Sequence, residues 1–324
     1  NSTNQIISVP TDYITGGSSR VINAGHIRNQ GLELAARFQP VKNKKFRWDI
    51  NMNWSTNKNK VLELAPGVDS WIISTGPRGY VKATVGGSLG DLYGTGLVKA
   101  PKGATVTIDG KSVDVSGWDI VDKTNGEPIK SSEYKLIGNV QPKWKAGMTH
   151  SISYKSFKLD MAFSAQWKGM AYSSTNFLLS YQGKLTNSLY GRYDGLVHKG
   201  VNVATVNGET VYTMNNTITT DVVNYYRNII WHRDNMEYNT FSTTFLKFKE
   251  ARLTYDMPKK LVSKIKGIQG VSVGVFATNI FCITHFPQYD PEIATMNGSL
   301  ITKGFETLAY PMTRTYGANI KLQF

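Results

Sequence analysis

Residues 144 to 167 read Trp-Lys-Ala-Gly-Met-Thr-His-Ser-Ile-Ser-Tyr, then Lys155-Ser156, then Phe-Lys-Leu-Asp-Met-Ala-Phe-Ser-Ala-Gln-Trp. Both arms alternate with period two, the pattern of a strand whose two faces meet different surroundings. A two-residue turn at Lys155-Ser156 sets residues i and i+3 opposite each other. The cross-strand pairs follow: Tyr154 with Phe157, Ile152 with Leu159, His150 with Met161, Met148 with Phe163, Ala146 with Ala165, and Trp144 with Trp167. These fall on one face, aromatic at both ends. Lys145, Thr149, Ser151, Ser153, Lys158, Asp160, Ser164 and Gln166 form the other. A long hairpin in a soluble β protein also alternates, so length and end decoration carry more weight. Globular strands are usually about 5–6 residues. Eleven residues at roughly 3.3 Å each, tilted about 45°, rise about 25 Å, the height of a membrane barrel's apolar band. Aromatic rings at both rims suit the headgroup boundary. His150 fits such a face poorly: either its ring is neutral there or the register slips near it.

Working outward, Phe46, Trp48, Ile50, Met52 and Trp54 alternate with Arg47, Asp49, Asn51, Asn53 and Ser55, repeating the same pattern. Trp48, Trp54, Trp144, Tyr154, Phe157 and Trp167 are therefore expected to form a lipid-facing girdle. Leu32, Leu34, Ala36 and Phe38 share a face in the preceding strand, and residues 40–45 read as a basic turn. Residues 4–9 read as a strand end, followed by a Gly/Ser/Asn-rich loop to about residue 25. Weaker strands are expected near 71–74, 80–85 and 92–98, and turns through 100–141, notably 122–128. Residues 168–243 show no clear periodicity. Strands follow at 244–255, 271–281 and 315–324, with a Pro/Lys-rich connection at 256–270, including a helical turn near 261–265, and a loop at 285–310.

Direction provides an internal check. Barrels keep short turns on the periplasmic side and long loops outside. With Lys155-Ser156 periplasmic, segments 168–243 and 282–310 are external and the last strand returns to the periplasm. This requires zero or two wall strands between residues 57 and 143.

Composition narrows the classes. Lys plus Arg is 37 against 23 Asp plus Glu, a net charge of +14. The basic residues are scattered, with no basic helix and no nucleic-acid motif, so nucleic acid is not an expected partner. Anionic outer-leaflet lipid or an ion-attracting lumen accounts for them instead. The lone cysteine, Cys282, excludes an internal disulfide and a thiolate metal cluster. No eighteen-residue apolar run exists, so no transmembrane helix is expected, and barrels hide their apolar face by alternation. With no initiator Met and no signal peptide, the chain is expected to be part of something longer.

No metal site and no cofactor is expected. The five histidines lack ligand spacing such as HExxH. Trp231-His232-Arg233-Asp234 looks catalytic in isolation but reads as recognition or solvated surface. Asp290 and Glu292, around a proline, read as a loop-shaping signature rather than paired catalytic carboxylates. Asp122, Asn125 and Glu127 lack the calcium-loop pattern and read as a turn. Substrate contact is assigned to Tyr172, Tyr190, Tyr193, Tyr225, Tyr226, Arg227, Trp231 and Arg233, whose aromatic faces and guanidinium groups suit sugars and peptides equally. Loop self-packing explains each of them singly as well.

The C-terminal third is more specific. Phe245-Leu246-Lys247-Phe248-Lys249-Glu250-Ala251-Arg252-Leu253-Thr254-Tyr255 with Pro258-Lys259-Lys260-Leu261, Asn279-Ile280-Phe281 with Tyr289-Asp290-Pro291-Glu292, and the ending from Tyr310-Pro311-Met312-Thr313-Arg314-Thr315 to Phe324 resemble the SusC/RagA family of TonB-dependent outer-membrane transporters. Segments 27–34 and 137–143 are similar to it too. The resemblance implies an all-β antiparallel transmembrane barrel of about 22 strands around a plug. Residues 1–324 would supply about 8–10 of those strands, from the C-terminal part. Plug, TonB box and the remaining barrel would lie upstream. It implies an importer, not an enzyme, taking oligosaccharides or oligopeptides, with TonB and a SusD-like lipoprotein as partners. It also implies that Phe324 is read by the barrel-assembly machinery. Two other readings stay open: a passive porin, and a soluble carbohydrate-binding β protein whose Trp54, Trp144 and Trp167 face packs on a second sheet.

Overall fold

The fold is seen in a computed structural model that describes residues 1–324 except 4–5, 11–18, 24, 77, 289, 294–303 and 309, and the backbone alone of 6–10 and 19–23. Eight strands form one antiparallel sheet in chain order: β1 (Ser2–Thr3), β2 (His26–Lys42), β3 (Phe46–Glu63), β4 (Trp144–Tyr154), β5 (Phe157–Trp167), β6 (Phe245–Asp256), β7 (Gly270–Thr284) and β8 (Thr315–Gln323). The sheet is an open piece of a barrel wall, with β1 and β8 as its edges.

The central hairpin adopts the register that alternation demands. Trp144 faces Trp167, Met148 faces Phe163, and Tyr154 faces Phe157 across the Lys155-Ser156 turn. The apolar rows continue through the neighbouring strands. One runs Leu34, Trp54, Ala146, Ala165, Leu246, Ile283; the next runs Ala36, Met52, Met148, Phe163, Phe248, Phe281. Leu34, Met52, Leu246 and Ile283 are exposed. Water does not tolerate so continuous an exposed apolar face on a monomer, whereas hydrocarbon does. All six expected girdle aromatics lie on it. Trp54, Trp144 and Trp167 form one band; Trp48, Tyr154 and Phe157 form the other.

His150 keeps its register position opposite Met161 and Ile50. Its Nδ1 accepts the Trp48 Nε1–H at 3.2 Å, and its ring stacks on Trp48 and meets Phe163 edge-on. An indole N–H has no acceptor in hydrocarbon. The imidazole supplies one, which is why a polar ring occupies an apolar row.

The opposite face is polar. Arg47 and Gln39 hold Asp49 at 2.6 and 2.7 Å, and Ser151 and Lys158 hold Asp160 at 2.7 and 2.9 Å.

Three differences from the sequence reading have physical causes. Pro40 is inside β2 and not in a turn: it sits at a bulge between Phe38 and Val41, where no ladder hydrogen bond is asked of it. β2 and β3 are 17 and 18 residues long, so they stand beyond the membrane height on the long-excursion side. Within the glycine-rich stretch, Ser19–Asn23 is a strand paired with Ile6–Pro10; residues 11–18 lie outside the described set. Two motif residues find reasons. A Cβ on Gly31 would lie 2.2 Å from the Thr56 carbonyl oxygen. Asn279 takes a positive φ of 52° at the bulge opposite Phe248 and Glu250, a conformation asparagine tolerates.

Connections at one end are short: residues 43–45, 155–156 and 257–269. At the other end lie residues 64–143, 168–244 and 285–314. Among the described residues no wall strand occurs between β3 and β4, which pair directly. Met161 and Ala162 are adjacent on β5 but face apart. Met161→Lys is expected to destabilise the folded barrel by about 2–4 kcal/mol in bilayers, and Ala162→Lys, beside Glu250, by much less. Urea unfolding of the two variants in lipid vesicles would read the difference.

Candidate functional site

The three long excursions build a second layer above the wall. It has its own strands. Ser70–Thr75, Gly79–Thr84, Asp91–Gly94 and Lys135–Asn139 form one sheet. Asp119–Ile120 pairs with Gly200–Val206, joining the first excursion to the second. Met170–Ser173 pairs with Thr240–Ser242 and Phe305–Glu306, joining the second to the third. Segment 168–243, aperiodic as sequence, is therefore ordered: Gly200–Val206 and Glu209–Met214 make a hairpin, and its other strands are very short and pair at long range. A core of Val81, Leu92, Val140, Tyr172, Met236 and Phe305 draws on all three excursions.

Polar clamps tie the same pieces together. His198 Nε2 lies 2.9 Å from Asp119 Oδ2 and its Nδ1 lies 2.7 Å from the Tyr225 hydroxyl. Tyr238 donates to Asp119 at 3.1 Å, and Lys99 reaches Asp119 Oδ1 at 2.6 Å. Burial opposes ionisation of Asp119, but the bonds from His198 and Lys99 outweigh it and hold the carboxyl below the usual range. Burial pushes Tyr225 and Tyr238 well above the ordinary phenol value, so both stay donors. The set is complete with Nε2–H donated to Asp119 and the Tyr225 hydroxyl donated to Nδ1. Glu306, fully buried, accepts from Ser173 Oγ, Thr175 N and Thr175 Oγ1 at the start of helix α1 (Ser174–Tyr181), where a carboxylate suits the helix dipole. Lys247 of β6, 2% exposed, is held by Asp290 and, at 2.7 Å, by Glu292. Those two carboxylates thus fasten the third excursion to the wall. Tyr289 of that motif lies outside the described residues.

The eight substrate candidates separate. Tyr172 and Tyr225 are buried, at 0% and 7% exposure, and serve packing and the Asp119 clamp. They offer no face to a ligand, which corrects the expectation for both. Trp231 is half-buried against the cluster of Leu97, Leu196, Tyr225, Ile229 and Ile230, and its indole N–H has no acceptor among the described residues. Arg233 is exposed on the neighbouring turn. Tyr190 and Tyr193 project, at 71% and 98% exposure. Tyr193, Tyr226 and Arg227 come together on a cavity of about 610 Å³, with Tyr181 and Arg192, which sequence reasoning missed. Arg227 lies 4.7 Å above the Tyr181 ring, and Tyr226 donates to the Tyr190 carbonyl at 2.8 Å. A short helix, Val222–Asn224, runs into a wider turn, Tyr225–Ile230, closed by Trp231 N–H to Tyr226 O at 2.8 Å. That extra residue turns Tyr225 inward while Arg227 stays outside.

The tetrad 231–234 is structural as well: Arg78 pairs with Asp234 at 2.7 Å, and burial, ahead of the opposing Asp234 charge, lowers the His232 pKa. Asp122 bonds Thr124, and Glu127 accepts from Asn224 at 2.6 Å, which uses their oxygens in a turn. Among the described residues no cluster suited to a metal ion occurs.

No protein-family model matches the chain. It is 25% identical over 331 residues to TonB-dependent receptor P3 of Formosa agariphila, covering 97% of this chain and 30% of that protein. It is 26% identical over 305 residues to the TonB-dependent receptor SusC of Bacteroides thetaiotaomicron, covering 93% and 27%. The chain thus spans about a third of these relatives. Its fold matches solved structures of the RagAB peptide importer in the open-open state (20% identity, TM-score 0.62, 99% of this chain and 31% of that chain) and of the RagAB peptide transporter (18%, 0.63, 99% and 32%). An open, antiparallel wall with one apolar face and a folded outer layer is part of an outer-membrane β-barrel, and the proteins it is similar to are TonB-dependent receptors. Within that class the chain is similar in sequence to SusC and in fold to the RagAB structures.

Asp119→Ala leaves His198 and Lys99 without their shared acceptor and is expected to cost about 3–5 kcal/mol locally, seen as faster amide exchange in 95–121 and 196–239. Because the Asp119 pKa is lowered on folding, its contribution is complete above its unfolded value of about 4 and fades as pH falls through the folded value. Exchange protection in those segments should therefore drop in acid in the native protein, and much less so in Asp119→Asn.

Proposed function

We propose that this chain is wall and outer layer of a TonB-dependent importer of oligomeric nutrients, oligosaccharides or oligopeptides. One observation carries the reading: three short connections at one end of an apolar-faced wall, and three interlocked excursions at the other. A passive pore needs loops that leave its mouth open. A folded outer layer with its own core suits capture and docking instead.

In this reading residues 1–324 are the C-terminal part of the barrel. A plug and a TonB-contacting segment come from elsewhere in the protein, and further strands pair with the edges at β1 and β8. Trp48, Trp54, Trp144, Tyr154, Phe157 and Trp167 face lipid at the two membrane boundaries. Phe324, 78% exposed, serves as the barrel-assembly signal. A SusD-like lipoprotein sits over the excursions, and TonB supplies energy from the periplasm. Tyr193, Tyr226 and Arg227, with Tyr181 and Arg192, offer ring faces and a stacked guanidinium to the oligomer.

Uptake of labelled oligomers by cells carrying the intact protein tests the proposal. It should stop when a protonophore collapses the inner-membrane gradient. Uptake that continues at the same rate means a passive pore. Replacing Tyr193 and Arg227 together by Ala is expected to weaken oligomer binding by tenfold or more while leaving the thermal transition unchanged, as both side chains are exposed. Titration calorimetry and a thermal scan of the purified protein would check the two halves.

A further inference from the structure

The outer rim of the wall carries a basic notch. β3 pairs with β4 only as far as Ser55, opposite Lys145. Beyond that point the chain enters β4 from the side, and the β3 edge at 56–59 stands apart from it. A single bond, Thr56 Oγ1–H to the Lys143 carbonyl at 2.7 Å, closes the inner end of the gap. What remains is a cleft of about 700 Å³. Lys58, Lys143 and Lys168 line it together with Asn57, Asn139 and Gln141, and no Asp or Glu does. All three lysines are exposed. Among the described residues none of their ammonium groups has an ion-pair partner, although lysines 99, 135, 158, 247 and 249 all do.

Position gives this charge its meaning. Trp144 and Trp167 stack with ring centroids 6.4 Å apart on the apolar face. Lys143 and Lys168 are the next residues outward, and the Lys143 amide donates to the Trp167 carbonyl at 2.9 Å. Lys58 stands on the same face of β3 as Trp54, four residues further out. Tryptophan settles at the headgroup boundary. One strand residue rises about 3.3 Å, so the cleft opens at phosphate level, with the apolar rows beneath it where acyl chains run. No carboxylate lines the opening round which the three cations are held, and an anion bound there gains all three.

We infer that the notch is a binding site for the phosphate of an anionic lipid in the outer leaflet. The three lysines contact the phosphate oxygens, neighbouring amides donate to the remaining oxygens, and the lipid chains lie along Trp144, Trp167 and the apolar row of Ala146 and Ala165. The site needs no transport step and is independent of what the receptor imports.

The test uses the intact receptor purified from membranes and placed in nanodiscs of phosphatidylcholine containing about one-tenth phosphatidylglycerol, with retained lipid counted by native mass spectrometry. The native protein should keep phosphatidylglycerol in preference to phosphatidylcholine. Lys58→Gln, Lys143→Gln and Lys168→Gln combined should reduce that preference roughly 100-fold, on the scale expected for three interfacial charges. Lys102→Gln, Lys111→Gln and Lys123→Gln combined, none of which lines the notch, should leave it unchanged. Should the first triple variant fail to fold, each single replacement should still lower retention several-fold. Equal retention by native and notch variants overturns the site. So does complete displacement of the lipid by inorganic phosphate at about 10 mM, which would mark a free-phosphate site. An equal loss in the second triple variant also overturns it, because net charge alone would then explain retention.

Discussion

A chain that crosses hydrocarbon must pair every backbone N–H and C=O within itself or with its neighbours, because no water is there to take them. The rest of this structure depends on that constraint. It makes the wall a meander in chain order, with each strand bonded to the one before it and the one after it. It forces side chains to sort by parity, so that one register places Leu34, Trp54, Leu246 and Ile283 on the lipid side and Asp49, Asp160 and Lys247 on the other. It also explains His150. A tryptophan ring is welcome in the apolar face, but its N–H is bound by the same rule, and an imidazole on the adjacent strand satisfies it.

Above the membrane the constraint lifts and different physics takes over. Water can solvate irregular backbone, so the excursions are free to bend, and they hold together only because they bury a core of their own. That core is assembled from three distant stretches, and the Tyr172 ring tilted against Phe305 illustrates the range in sequence it draws on. In the polar clamps each cation or donor has its acceptor: Lys99 and His198 on Asp119, Lys247 on Asp290 and Glu292, the start of α1 on Glu306. Loss of one member leaves the others charged or unsatisfied away from water, so the layer behaves as a unit. The exposed side chains on its surface, Tyr193 and Arg227 among them, are held by this scaffold without contributing to it.

Much of the wall was legible residue by residue. The pairs from Trp144–Trp167 to Tyr154–Phe157 and the strand positions after residue 244 follow from alternation and turn length, whereas direction alone left zero or two wall strands between β3 and β4, and their direct pairing decided for zero. The Asp290–Glu292 motif was readable as loop-shaping, yet nothing local announced Lys247 as its partner. Pro40 looked like a turn because a bulge leaves no periodic trace. Tyr172 and Tyr225 looked like ligand-facing tyrosines because a buried tyrosine and an exposed one have the same letter, and their difference rests on the 222–230 helix and on contacts with His198 and Phe305. Tyr181 and Arg192 escaped notice for the converse reason.

By itself, then, the sequence determined the period-two faces, which strand ends carry short turns and which carry long excursions, and the aromatic rows near both ends of the apolar face, because those follow from local geometry and from the solvent each face meets. The tertiary structure alone decided how the excursions interlock, which tyrosines are buried, which lysines find carboxylates, and which three lysines are left around an open cleft. These depend on contacts between residues 20 to 133 positions apart, and the cost in chain entropy of the longest is met only once the whole layer has formed.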